Sequence, residues 1–337
     1  MNILNFANKD IGIDLGTANV LIALRDKGII YRQPSVVAYN KISKEVIAVG
    51  EEAKAMLGKT PQNIMAISPL KDGVIADFTA TKLMLREMVA KVCRRYRISR
   101  PQVVVGVPSG ITEVEERAVE EALISSGARA VYLVDEPMAA AIGSGLNVAE
   151  PAGNIIVDIG GGTTEVAVVS LGGTVVSNSI KIAGDELTDD IVQYAKKKLD
   201  IIIGENTAET IKKEIGCAKP LLTEEYREIR GRDVYTGLPI VRDISSIEVE
   251  YALKNSINKI AEAIKATLEQ TPPELISDIA VKGVMVAGGG ALIKNIDTML
   301  EERLEIPVFI AEEPLDCVVN GTRKMLEDID TLKRIAK

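Results

Sequence analysis

One pattern occurs twice along this chain. Asp10-IGIDLGTANVLIAL-Arg25 and Asn154-IIVDIGGGTTEVAVV-Ser170 both run from an apolar strand through an Asp and a glycine-rich turn into a second apolar strand. Asp14 falls on Asp158 and Gly16 on Gly160, an offset of 144 residues. Further on, VVVGVPSG at Val103–Gly110 matches VMVAGGGA at Val284–Ala291 with an offset of 181, and the same shift sets Asp135 of DEPMAAAIG on Asp316 of DCVVNGTRK. Both halves present the same order: a hairpin with Asp and glycines, a long insertion, an apolar strand ended by Pro or Gly, then a helix begun by Asp. The offsets differ by 37, so the second half holds 37 more residues between its hairpin and its later strand. At 337 residues the chain has room for two such α/β lobes, each closing its own core.

Local signals agree with the duplication. Val103–Val107 and Val284–Ala287 are β-branched runs stopped by Pro108 or by glycines, and read as buried strands. Thr112 with Glu115, and Ser245 with Glu248, form capping boxes ahead of helices. In the second helix Val249, Leu253, Ile257, Ile260, Ile264 and Leu268 make one stripe of helical period, and Pro272 and Pro273 end it. Two polar, less periodic stretches read as small inserted subdomains. The expected organisation is a first lobe core of residues 1–32, 67–147 and 315–337 with an insertion at 33–66, and a second core of 148–183 and 244–314 with an insertion at 184–243. No Gly/Ser- or Pro-rich tether separates the halves, which predicts a rigid hinge.

Composition removes whole classes of function. Aromatic residues are 3% with no Trp, so Ile, Val, Leu and Ala must fill the cores, as suits parallel strands covered on both faces. A net charge of −8 without a long Lys/Arg block argues against a nucleic-acid partner. Cys93, Cys217 and Cys317 are scattered, odd in number and without a CxxC pair, which predicts reduced, buried thiols. The start MNILNFANKD lacks a basic n-region followed by an apolar stretch of about 7–15 residues, and no apolar run of about 18 residues follows, so a cytoplasmic protein is expected. His is absent, which excludes every His-based triad, metal site and general base. Catalysis is left to carboxylates, hydroxyls, amines, backbone N–H groups or a bound metal.

The candidate chemistry gathers at the turns. Gly16-Thr17-Ala18-Asn19 and Gly160-Gly161-Gly162-Thr163-Thr164 allow backbone N–H groups to converge on an anion, although tight hairpins use glycine for their own sake. Each turn follows an Asp at the end of a strand that reads as buried, where a carboxylate is costly unless a cation or partner meets it. Asp14 and Asp158 facing each other across a cleft would hold the water shell of Mg²⁺ on a polyphosphate; the alternative is that both merely cap turns. Gly288-Gly289-Gly290-Ala291 follows a strand and is expected to open the helix IKNIDTMLEERL, either to admit a purine ring or to pack closely. Asp135-Glu136-Pro137 starts a helix of small residues; Glu136 either orients a water for in-line attack or serves only as an N-terminal acid.

With Asp14-Leu-Gly-Thr, Asp135-Glu-Pro, Asp158-Ile-Gly-Gly-Gly-Thr and Gly288-Gly-Gly in place, the chain resembles the actin/heat-shock-chaperone/sugar-kinase ATPase superfamily. IDLGTANVLI, PSGITEVEERAV, LVDEPMAAAIG, DIGGGTTEVAVVSLGG and AGGGALIKNID resemble the MreB/Mbl family of bacterial actins, from about residue 10 to residue 330. The resemblance implies a duplicated actin-like (ribonuclease H-like) α/β fold with an inter-lobe cleft for ATP and Mg²⁺, and slow hydrolysis coupled to polymerisation. It places Thr17, Ala18 and Asn19 in the first phosphate loop and Gly161, Gly162 and Thr163 in the second. Glu136 would position the attacking water, and Thr163 would sense the γ-phosphate. Adenosine would meet Gly288, Gly289, Gly290 and Ala291 together with Glu209, Thr210, Ile211 and Lys212, a segment that otherwise reads as an amphipathic surface helix. Implied partners are further copies of the chain in antiparallel double protofilaments, the inner face of the cell membrane, and the cell-wall elongation proteins that set rod shape.

Two stretches are candidates for membrane contact. Met1–Asn8 offers Ile3, Leu4 and Phe6, about one helical turn. Arg94-Arg95-Tyr96-Arg97-Ile98-Ser99-Arg100 would bring four arginines with Tyr96 and Ile98 to anionic headgroups, or is simply a solvated helix end. The competing function is a small-molecule kinase of the same superfamily, which needs an acceptor pocket and a base.

Overall fold

The structure is a computed structural model and describes residues 9–327. The chain divides into two compact units. The first takes in the chain up to Glu150, Leu171–Thr174 and the chain from Asp316; the second takes in Pro151–Ser170 and Val175–Leu315.

In the first unit, β1 (Ile11–Leu15), β2 (Asn19–Leu24) and β3 (Gly28–Pro34) form an antiparallel meander. β4 (Val37–Asn40), β5 (Val46–Val49), the short α1 (Glu51–Lys54) and β6 (Ile64–Ile67) make a separate three-stranded sheet packed on Val36, Ala38, Ala48 and Ala53. A small hairpin of β7 (Leu70–Lys71) and β8 (Val74–Ile75) leads into α2 (Phe78–Tyr96), whose first turn is capped by the Asp77 carboxylate accepting from Ala80 N–H at 2.9 Å. β9 (Gln102–Val107), α3 (Glu113–Ser125), β10 (Ala130–Asp135) and α4 (Glu136–Gly143) complete this run. The main sheet has the order β10-β9-β1-β2-β3, with β9 and β10 parallel to β1.

Strand alternation decides which residues meet which layer. Ile11, Ile13 and Leu15 share a core with Leu83, Met84, Met88 and Val92 of α2. Gly12 and Gly106 point the other way, toward Thr322 and Val318 of the last helix, where a Cβ would come within 2.6 and 2.9 Å.

The second unit repeats the plan. β11 (Asn154–Ile159), β12 (Thr164–Ser170) and β13 (Gly173–Ile180) form the meander. α5 (Gly184–Lys198), β14 (Ile201–Ile202), α6 (Glu205–Ile215), β15 (Tyr226–Asp233) and β16 (Pro239–Ser245) supply the insertion, with its own three-stranded sheet. α7 (Ser246–Glu269) and α8 (Pro273–Lys282) lead to β17 (Val284–Ala287), a 3₁₀ turn at Gly289–Leu292, α9 (Ile296–Leu304) and β18 (Val308–Ile310). A second 3₁₀ turn, Pro314–Asp316, passes into α10 (Cys317–Met325), which returns to the first unit. The sheet order β13-β12-β11-β17-β18 matches that of the first unit strand for strand.

The pairing registers reproduce the offsets read from the sequence. Asp14 pairs with Leu21 and Asp158 with Glu165; Asp14 also pairs with Gly106, and Asp158 with Ala287. The repeat breaks at the edge strand. Val103 pairs with Val131, whereas Val284 pairs with Val308, so the offset there is 177 and the missing four residues are taken up in the turn before Asp316. Both capping boxes are present, and the α7 stripe from Val249 to Ile264 is buried.

One expectation needs correction. The third glycine run does not open a regular helix, because Gly289–Leu292 is 3₁₀ and α9 begins only at Ile296. The reason lies just after it: Lys294 bridges to Cys217, donating to Gly216 O and accepting from Ala218 N–H, and Asn295 turns left-handed with φ of 60°. That pairing holds the backbone too extended for a helix to propagate.

Candidate functional site

The first half-site lies at the carboxyl ends of β1, β9 and β10, the end of a parallel sheet where ligands gather. Gly16, Thr17 and Ala18 bridge β1 to β2, with Leu15 paired to Val20. The turn is held from below. Gly16 O accepts from Ser35 Oγ at 2.5 Å, Ala18 O accepts from Ser35 N–H at 3.0 Å, and Thr17 Oγ1 accepts from Gly73 N–H at 3.3 Å. Ala18 and Asn19 are exposed at its crest. Asp14, half-buried, stands in register with Gly106, and a Cβ on Gly106 would come within 3.3 Å of Glu136 Cγ. The absent side chain of Gly106 therefore makes room for Glu136, which is 9% exposed at the start of α4 and followed by Pro137 at the position helices favour. Beside Thr17 a shallow hollow, lined among others by Leu15, Val74, Val107, Pro108 and Glu115, lies in the same unit; no sequence signal announced it.

The second half-site repeats this placement on β11, β12 and β17. Gly160 to Thr163 form the turn, closed by Gly160 N–H donating to Thr163 O at 2.9 Å. Its carbonyls at Gly160 and Gly161 accept from the N–H groups of Gly184 and Asp185, at 3.0 and 2.8 Å. Gly162 and Thr163 are buried. Asp158 is buried against Gly288, whose φ of 80° and lack of Cβ let the carboxylate lie on its backbone. Gly290 gives the same close approach to Ile159. Gly288 and Gly290 thus serve strand packing in any case. Burial, and then the negative charge of Glu165, push the Asp158 carboxyl up to about 7.

The Glu209–Lys212 segment differs from a plain surface helix. Thr210 is exposed and Ile211 enters the core, but Lys212 is buried. Its ammonium donates to Gly184 O at 2.6 Å and Thr188 Oγ1 at 2.8 Å and pairs with Glu209 at 2.6 Å. Burial raises the Glu209 carboxyl, but its bonds to Lys212, Thr188 and Lys213 outweigh that and hold it below the usual range.

The basic loop also departs from expectation. Arg94, Arg95, Arg97 and Arg100 are exposed, yet Ile98 packs in the first core. Tyr96 is half-buried, with Lys27 and Arg95 over its ring at 5.8 and 5.6 Å. Left-handed Arg97, with Ile98 N–H donating to Cys93 O at 2.9 Å, ends α2 and folds Ile98 inward, so this loop offers charge without an apolar anchor. Met1–Asn8 lies outside the described residues. Among the described residues no helix is long and apolar enough to cross a membrane. The cysteines are free thiols, Cys217 and Cys317 buried and Cys93 half-buried.

A profile described as MreB/Mbl protein matches residues 8–334. The chain belongs to the MreB/Mbl family. Among its MreB/Mbl relatives, the cell shape-determining protein Mbl of Bacillus subtilis (strain 168) is 50% identical over 97% of this chain and 98% of its own length. The cell shape-determining protein MreB of Escherichia coli (strain K12) is 49% identical, over 96% of this chain and 95% of its own. Of solved structures, MreB5 of Spiroplasma citri bound to ADP superposes with a TM-score of 0.90 at 41% identity, covering 98% of each chain. The MreB/Mbl fold is therefore the actin-like one, built from two like α/β units.

Proposed function

We propose that this MreB/Mbl-family protein is an actin-like cytoskeletal ATPase in which the two half-sites serve one ATP and its Mg²⁺. The observation that carries the reading is the repetition in register: Asp14 beside Gly106 and Asp158 beside Ala287, each one residue before a strand end and a glycine turn. Turns of this kind aim successive backbone N–H groups at phosphate. The reading gains support from the ADP held by the MreB5 relative.

The residues fit the metal as well as the nucleotide. Asp158 is buried, and its carboxyl is raised to about 7, a position that a hard cation relieves. Among the described residues no group of three or more Asp, Glu, Cys or His side chains gathers for direct ligation. Asp14 and Asp158 would accordingly hold Mg²⁺ through its water shell, and the ion would neutralise charge on the phosphates. Thr17, Ala18 and Asn19, with Gly161, Gly162 and Thr163, would bind the phosphates through backbone N–H groups. Glu136 would orient the attacking water, in-line chemistry that asks for positioning more than for a strong base. Gly288 to Ala291 and Glu209 to Lys212 would border the adenosine.

Polymerisation into antiparallel double protofilaments, attachment to the inner membrane face and guidance of wall-elongation proteins rest on the family resemblance and on relatives named as cell shape-determining. The kinase alternative needs an acceptor pocket with a base beside the nucleotide; the hollow beside Thr17 is mostly apolar, with Thr17 and Glu115 as its polar side chains. Purified protein with ATP and Mg²⁺ should sediment as polymer and release phosphate slowly. A protein that stays monomeric, or that phosphorylates a small acceptor faster than water, overturns the proposal.

A further inference from the structure

Asn320 is the one asparagine in the sequence that is followed by glycine. The pair is chemically labile. Glycine has no side chain to shield its nitrogen, and its backbone freedom lets that nitrogen swing onto the neighbouring carboxamide. In the reaction Gly321 N loses its proton to hydroxide and bonds to Asn320 Cγ, the Cγ–Nδ2 bond breaks, and Nδ2 leaves as ammonia with a proton from water. The cyclic imide that results is then opened by one water. Attack at Cγ leaves an aspartate, whereas attack at the Asn320 main-chain carbonyl carbon leaves an isoaspartate, whose main chain runs through Cβ and Cγ and is one carbon longer.

The fold sets this chemistry inside α10, with Asn320 half-buried and Gly321 buried. Helical dihedrals commit the Gly321 nitrogen to the main-chain ladder, away from the Asn320 side chain. The helix is also pinned on both sides of the pair. Val319 packs on Leu21 and Ala23, Thr322 Oγ1 donates to Val319 O at 2.9 Å, and Lys324 Nζ donates to Ile142 O at 3.0 Å. Ring closure therefore needs α10 to come away from the sheet and unwind. The reverse trip is then barred to one product. At Gly321 the backbone of α10 lies so close to Ala139 that a Cβ would overlap its carbonyl, and an added main-chain carbon there breaks the helical ladder and moves the contact.

We propose that Asn320–Gly321 is a covalent modification site gated by α10: it is silent while α10 is docked, and once α10 has undocked the isoaspartyl product keeps the first unit from closing. The reading does not depend on nucleotide. The test ages the full wild-type chain at about pH 8, either folded or in concentrated urea, and follows deamidation of the tryptic peptide Leu304–Arg323 by mass spectrometry with fragmentation that tells aspartate from isoaspartate. The folded chain should react at least about 100-fold more slowly, because only the opened population is reactive. Lys324→Met, which releases Ile142 O, should speed the folded reaction about fivefold. Should that variant fail to fold, wild-type protein in a series of sub-denaturing urea concentrations takes its place, and the rate should climb with the opened fraction. When the urea-aged sample is refolded and nicked with protease, the resistant fraction should keep Asn320 and its aspartate product and be depleted in isoaspartate by at least about tenfold, as for a helix break. Equal rates in folded and urea-held protein, or a folded rate that ignores both the variant and the urea series, overturn the gate. Isoaspartate recovered in full in the resistant fraction, or aspartate lost from it to the same extent, overturns the block on closure.

Discussion

Asp158 and Glu165 lie directly opposite each other in the β11–β12 pair, both buried, with Ser179 Oγ donating to Glu165 Oε1 at 2.6 Å and Gly288 pressed against the Asp158 carboxyl. Cross-strand neighbours of like charge repel, and burial strengthens the repulsion because little water screens it. A proton on Asp158 relieves that repulsion, as a bound cation would.

The first expected outcome is a pH dependence of the metal- and nucleotide-free protein. Asp158 titrates near 3.8 when unfolded and at about 7 when folded, so between those values the folded chain holds the extra proton. Stability therefore falls as pH rises from about 4 to about 7 and levels off above, by roughly 4 kcal/mol at most. Urea midpoints in EDTA at pH 5 and pH 8 measure this, and Asp158→Asn should flatten the profile. A wild-type profile rising over the same window contradicts the assignment.

Glu136 is 9% exposed and set against Gly106 at the end of β9. Glu136→Ala should slow phosphate release about 100-fold, the usual scale for a group that handles the attacking water. Nucleotide affinity should change little. Single-turnover phosphate release with pre-bound ATP separates the two, and an unaltered rate takes Glu136 out of the mechanism.

Ser245 caps the longest helix, accepting from Glu248 N–H at 3.3 Å while Glu248 Oε2 accepts from Ser245 N–H at 2.9 Å. Ser245→Ala should cost about 1–2 kcal/mol, because the orphaned N–H is next to a buried strand end. Chemical denaturation gives the number directly; a change below about 0.3 kcal/mol means water replaces the cap.

α10 and α4 touch backbone to backbone at Gly321 and Gly143, where a Cβ would overlap the carbonyls of Ala139 and Cys317. Gly321→Ala should lose about 3 kcal/mol through overpacking. Gly58→Ala provides the contrast, since its Cβ meets open space and only the left-handed φ of 69° is strained, for about 1 kcal/mol. Similar losses at both sites would show that α10 can shift to relieve the overlap.

Much of this architecture was written locally. The repeated Asp and glycine spacing predicts the strand registers because β pairing has a period of two, and a slip would turn every core residue outward. The capping boxes and the α7 stripe are equally local. What the sequence hides is where long or ambiguous side chains turn. Lys212 sits at an amphipathic position with ordinary surface spacing, and the Gly184 carbonyl, the Thr188 hydroxyl and the Glu209 carboxylate together draw it inside. Ile98 among four arginines reads as loop until left-handed Arg97 folds it back onto the core. The four-residue slip of β18 depends on a turn whose 3₁₀ form carries no strong residue signature.

The first unit is closed by chain made late. α10 fills the face of β1 and β9 at Gly12 and Gly106, Lys324 donates to Ile142 O at 3.0 Å, and Arg323 donates to Arg25 O at 3.2 Å. On a ribosome the second unit, nearly continuous from Pro151 to Leu315, is therefore complete before the first, whose strands must wait with one apolar face uncovered until residues beyond Asp316 emerge. The half translated first is the half that finishes folding last.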